Sequence, residues 1–126
     1  MKRILLLAVV LGTFPATGAT QEFALMGVGA QTCGQFANLY RRAPNAVETT
    51  YFSWAQGYMS GINMMRVGTD GASQNMASIS VEAQQRMLRE YCNERPLADF
   101  IEAVNHLYWK FSASRPTKKR APPQSN

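Results

Sequence analysis

Apolar side chains recur at helical spacing in four stretches of the chain. In the first, Cys33, Phe36, Ala37 and Tyr40 fall at i, i+3, i+4 and i+7, which is one face of an α-helix. Thr32 is suited to the N-cap. Arg41 and Arg42 occupy the last turn, where cations complement the helix dipole. Pro44 then stops the segment, and Asn45 is placed to cap the next. The second and longest pattern predicts a helix over 46–65. Val47, Tyr51, Trp54, Tyr58, Ile62 and Met65 follow one another at spacings of 4, 3, 4, 4 and 3, close to 3.6-residue periodicity. The third covers 81–93, with Ser80 as N-cap, Glu82 in the first turn, and Gln84, Met87, Leu88, Tyr91 and Cys92 on one face. The fourth starts at Pro96, a residue suited to the first helical position. Leu97, Phe100, Ile101, Val104, Leu107, Tyr108 and Phe111 form its stripe. No segment sustains period-two alternation, and no repeat is evident. The pattern predicts an all-α fold, a compact four-helix domain spanning 32–111.

Between the periodic segments the chain is polar and small. Residues 20–31 read as a flexible lead-in with Gly27 and Gly29. Residues 66–79 form a connector longer than most helix–helix links. Residues 112–126, rich in Ser, Pro, Lys and Arg, read as a disordered basic tail. Within the long helix, Ser53, Gly57 and Gly61 line a second, small face. Each interior glycine costs up to ~1 kcal/mol of helix propensity. Close approach of another backbone in the same domain is the simplest reason for the pair, with a homodimer interface as the alternative. Gly57 and Gly61, with the neighbouring Trp54 and Tyr58, are therefore the candidate helix-packing residues.

The N-terminus departs from this pattern. Lys2 and Arg3 precede an apolar run from Ile4 to Phe14, then Pro15 and the small residues Ala16, Thr17, Gly18 and Ala19. This is the layout of a secretory signal peptide over 1–19, cleaved after Ala19. A second cleavage candidate, Val28-Gly29-Ala30, lies downstream. The run is short for a permanent bilayer span, which needs about 20 residues. The short positive segment and the small-residue cleavage site have a bacterial look. They predict a periplasmic protein with no stable membrane anchor.

Charge changes meaning once it is located. The 126-residue chain carries 13 basic and 8 acidic side chains, a net of +5. Two of the basic residues are Lys2 and Arg3, and four more (Arg115, Lys118, Lys119 and Arg120) lie in the tail. Residues 32–111 hold seven basic and seven acidic residues and are neutral by count. The basicity is no argument for nucleic acid. A composition of 46% hydrophobic and 17% charged residues argues against a disordered chain.

Export also gives the cysteines a meaning. An even pair in an oxidising compartment forms a disulfide, and Cys33 with Cys92 is the one pairing these two residues allow. A catalytic thiol would need a base, and His106, the single histidine, has no motif around it. Two cysteines and one histidine leave little material for a metal centre, and no phosphate loop or nucleophile motif is present. No cofactor, metal or enzymatic activity is expected. Glu90, Glu94, Asp99 and Glu102 are near in sequence but fit the solvated faces of helices. Candidate contacts to a client or partner are Tyr51 and the adjacent pair Met64 and Met65, methionine being adaptable at binding surfaces.

Three motifs carry a family resemblance: Thr32-Cys33-x-x-Phe36, Trp54-x-x-Gly57-Tyr58-x-x-Gly61, and Cys92-x-x-x-Pro96-Leu97 followed by a helix through Ala103. Together they resemble the HdeA/HdeB family of periplasmic acid-stress chaperones, in its divergent alphaproteobacterial form. The resemblance implies a small helical fold with one disulfide, and a chaperone that loosens in acid and binds unfolded periplasmic proteins. The segment Gly57-Tyr58-Met59-Ser60-Gly61, with Gln84, Gln85 and the Pro96 helix, also resembles the Tai kind of type VI secretion immunity proteins. These are small periplasmic helical proteins that bind a single effector, a cell-wall amidase. The further cysteines of that second family are missing here. Acid activation has a physical counterpart in the charge count. Protonating the seven acids of 32–111 takes the domain from 0 to +7, or +8 with His106, and self-repulsion then opposes the compact state.

Overall fold

The computed structural model describes residues 25–114. The predicted signal peptide, residues 1–19, and the basic stretch 115–126 lie outside the described residues. A 3-10 turn at Gly27–Ala30 leads into four helices: α1 (Cys33–Arg42), α2 (Pro44–Asp70), α3 (Val81–Glu94) and α4 (Phe100–Tyr108). Two short strands, β1 (Gln74–Asn75) and β2 (Ser112–Ala113), pair antiparallel with Gln74 opposite Ala113. The chain thus forms the expected all-α, four-helix domain, and Cys33 and Cys92 are joined in a disulfide.

Local chemistry sets the helix ends. The Thr32 hydroxyl accepts from the Gln35 N–H at 3.2 Å, and the Gln35 side chain accepts from the Thr32 N–H at 2.8 Å, a reciprocal capping box. Ser80 caps α3 through the Ala83 N–H at 3.3 Å. Between α1 and α2 stands only Ala43, and Pro44 is the first residue of α2 rather than a stop. Having no N–H, it wastes no donor there. Asn45 is consequently inside α2 and not its cap. The helix then runs past Met65 to Asp70, ending where Gly71 adopts a left-handed φ of 66°. At 27 residues it is about 40 Å long. The connector expected at 66–79 shrinks to the few residues between Asp70 and Ser80, partly taken up by β1 and a 3-10 turn at Met76–Ser78.

The fourth helix starts at Phe100, not at Pro96. The Pro96 and Ala98 carbonyls accept from the Gly34 and Cys33 N–H groups, both at 2.8 Å. They satisfy donors that the first turn of α1 leaves without partners, so these residues are held out of a helix. Leu97 lies on this loop and is 93% exposed, not part of the apolar stripe. The Phe100 N–H in turn donates to the Gln31 carbonyl at 2.8 Å.

The core draws on all four helices. Phe36, Tyr51 and Phe100 bring α1, α2 and α4 together with ring centroids 4.8–5.2 Å apart. Leu88 and Cys92 of α3, Met59 of α2, and Val104, Leu107 and Tyr108 of α4 continue it. The face that α2 buries is Tyr51, Phe52, Ala55 and Met59. Trp54, Tyr58 and Ile62 of the expected stripe are only half-buried, and Met65 is exposed.

Two side-chain amides fix the connector. Asn63 pairs with the backbone of Gln74 in both directions (2.9 and 2.8 Å) and also accepts from the Tyr108 hydroxyl at 2.7 Å. The buried Gln84 donates to the Met76 and Ile79 carbonyls at 3.0 and 2.7 Å. The expected lead-in and tail are also partly built in. The Met26 carbonyl accepts from the Trp54 indole N–H at 3.2 Å. A Cβ on Gly29 would lie 2.0 Å from the Trp54 ring, so only glycine lets this turn close on the indole. Residues 112–114 belong to the β2 pairing, with the Ser114 N–H donating to the Ser73 carbonyl at 2.8 Å.

Candidate functional site

The first turns of α2 lie alongside α1, and an ion pair closes the seam between them and α3. Glu48 of α2 binds Arg89 of α3, with both side chains largely covered. The Arg89 guanidinium also lies over the Tyr40 ring of α1, 5.5 Å from its centroid, within reach of cation–π attraction. Behind the pair is a cavity of about 10 Å³ lined by Phe36, Tyr51, Phe52, Leu88 and Phe100, with Glu48 and Gln85 at its polar side. That is no more room than one water needs. The ion pair is therefore the outer cover of the aromatic core. Two further pairs lie at α3 and are exposed: Arg86 with Glu90 at 3.6 Å, and Arg95 with Glu94 at 2.9 Å.

Tyr51, expected as a client or partner contact, is in the core instead, 4% exposed. Its hydroxyl donates to the Gln31 side chain at 2.7 Å. Burial pushes its phenol pKa above the usual value, which keeps it neutral and a donor. Trp54 and Tyr58 lie half-buried against the core. Their rings stack at 5.3 Å with 8° between planes, and the Tyr58 hydroxyl meets the Asn105 side-chain oxygen at 3.1 Å. Gly57 and Gly61 do not pack. Both are exposed, and a Cβ on either would meet nothing within 4 Å. The reason is rotational. With Tyr51, Phe52, Ala55 and Met59 turned inward, a pair at 57 and 61 falls on the outer side of α2. Among the described residues, no backbone approaches there.

Met64 and Met65 are exposed, at 78% and 62%. With Val67 and Trp109 they place large apolar side chains in water near the end of α2, and Arg66 stacks over Trp109 at 5.0 Å. His106 is exposed at the end of α4, beside Tyr91 at 5.2 Å between ring centroids. Among the described residues no group of three or more His, Cys, Asp or Glu side chains could hold a metal ion. No described helix is long and apolar enough to cross a membrane.

Sequence reasoning missed the Glu48–Arg89 pair. Its members are 41 positions apart, so no local spacing rule joins them. It also missed Phe52, Ala55 and Met59. Their spacings of 3 and 4 form a second helical stripe beside the aromatic one, and that signal was there to be read. Compared with protein-family models, curated proteins and solved structures, the chain matches none.

Proposed function

We propose that the protein is a small periplasmic, non-enzymatic chaperone of the acid-stress kind, which binds unfolded clients once acid has loosened its fold. The observation that carries this reading is the Glu48–Arg89 pair lying over the aromatic core. Acid protonates carboxylates, and a protonated Glu48 offers Arg89 no charge. A guanidinium cannot lose its charge. Arg89 is then left with the Tyr40 ring of α1, and with Arg41 and Arg86 lining the same side of the seam. The loss coincides with a domain-wide shift towards +8 from the neutral count of 32–111. Repulsion and the lost pair act in one direction, opening α2 from α3 and presenting Phe36, Tyr51, Phe52 and Leu88. The disulfide keeps α1 joined to α3, which limits the opening and leaves a closed state to return to.

The test is dye binding to apolar surface from pH 7 to 2, together with light scattering of an acid-denatured model client. The wild type is expected to bind dye and suppress scattering in acid. Glu48→Gln removes the charge at all pH values, so its dye transition should start at higher pH. Absence of apolar surface at pH 2, with clients aggregating as in buffer, would end this reading.

A second reading follows from Met64, Met65, Val67 and Trp109, which are exposed in the folded domain. An immunity protein that binds one effector, such as a cell-wall amidase, would use a preformed surface of this kind. It forecasts one stoichiometric partner captured at pH 7, whereas the chaperone reading forecasts many weak partners captured only in acid.

A further inference from the structure

We infer that the cleft between α1 and α3 is a binding site for an acidic peptide segment, one that presents a carboxylate next to an apolar side chain. The cleft holds about 360 Å³, near the lower end of the size range of preformed ligand sites. Its floor is Phe36, Ala37 and Tyr40, and its polar rim is Arg41, Arg86, Arg89, Glu90 and Asn93. Three guanidiniums against two carboxylates, Glu90 on the rim and Glu48 on Arg89, leave this rim positive by one within a domain that is neutral by count. Arg41 forms no ion pair among the described residues. Arg86 and Arg89 each face one carboxylate. A guanidinium has five N–H donors, so one carboxylate leaves donors over. Bidentate capture of an incoming carboxylate is what such groups do best. The aromatic and aliphatic floor adds a place for an apolar neighbour, which a bare inorganic anion would not use.

The same features disfavour a nucleic acid. A backbone of phosphates needs a continuous positive track, and α3 carries Glu82 and Glu94 beyond the two ends of this rim. The inference concerns the folded domain at neutral pH, so it stands or falls apart from acid activation.

The probe is a dye-labelled hexapeptide of alternating phenylalanine and glutamate, titrated with the oxidised protein at pH 7 and low salt. Fluorescence anisotropy reads affinity, and amide shifts of Ala37, Tyr40 and Asn93 read location. The Arg41→Gln/Arg86→Gln double variant spares the Glu48–Arg89 pair. It is expected to bind at least about tenfold more weakly, a loss of about 1.4 kcal/mol, with an unchanged melting temperature. Arg42→Gln, exposed and outside the cleft, should bind within about twofold of wild type. The proposal is overturned by any of four results: no saturable binding, equal binding of the peptide with glutamine for glutamate, equal losses in the Arg42 variant, or shifts confined to residues elsewhere. It is also overturned if the double variant instead loses binding to vesicles of anionic lipid while the peptide never binds.

Discussion

Removing the Cys33–Cys92 disulfide should cost this domain a large share of its stability. The bond closes a loop of 59 residues. In the chain-entropy model such a loop restricts the unfolded chain by about 4 kcal/mol. A domain spanning the 90 described residues, 25–114, has about 5–13 kcal/mol in all. The reduced protein should therefore stay folded at 25 °C but melt about 15–30 °C lower. Native interactions set where the loss falls. At 10 residues, α1 is too short to hold as an isolated helix. It is fixed by Phe36, by the Pro96 and Ala98 carbonyls on its first turn, and by the disulfide. Cys33 and Cys92 are 0% and 1% exposed, so reductant reaches them through opening, and the fully reduced form is best prepared by unfolding and refolding. The assay is thermal and urea denaturation of oxidised and reduced protein, followed by circular dichroism. The urea m-value should rise on reduction, because the unlinked unfolded chain exposes more surface. A melting point lowered by less than about 5 °C, with an unchanged m-value, would refute the reasoning.

Gly29→Ala puts a Cβ 2.0 Å from the Trp54 ring. It should destabilise by about 1–3 kcal/mol, and red-shifted tryptophan emission would report the displaced indole. Gly57→Ala and Gly61→Ala meet nothing, so each should stabilise by about 0.5–1 kcal/mol in urea denaturation; a loss would mean that the outer face of α2 is covered. Asn63→Ala leaves the Gln74 N–H and the Tyr108 hydroxyl without partners, which should cost about 1–3 kcal/mol and speed hydrogen exchange through the connector. Tyr51 has its folded pKa raised by burial. The folded state then keeps its proton where the unfolded state loses it, so stability should be intact below about pH 10 and fall as pH rises beyond it. Melting-point measurements on wild type and Tyr51→Phe between pH 8 and 11 would check this, the variant lacking that part of the alkaline slope.

Helix existence followed from periodicity, because a buried helix face must repeat near 3.6 residues whatever it packs against. Thr32 and Ser80 were legible as caps for the same local reason: their hydroxyls reach the N–H three residues on. The start of α4 was not legible, although Pro96 suits a first helical turn. What holds 96–98 out of the helix is the N-terminus of α1, more than 60 positions away in the chain. Gly57 and Gly61 misled for a related reason. An i, i+4 glycine pair states that a small face exists, but only the rotation of α2 in the assembled domain says whether anything lies against it. The required glycine is Gly29, in a turn whose constraint is the Trp54 ring 25 positions later.

The sequence by itself determined the elements whose causes are local: four amphipathic helices, two of their caps, and a neutral domain with the excess of basic residues towards the chain ends. It also restricted the cysteines to one possible pairing. Tertiary structure decided what depends on partners distant in the chain. It turned Tyr51 into the core and Met64 and Met65 into solvent, drew Glu48 onto Arg89 over the aromatic core, and gathered three arginines on one cleft. The division is physical. Spacing along a chain fixes which residues share a helix face, while ion pairs, clefts and exposed patches arise only when those faces are set against one another.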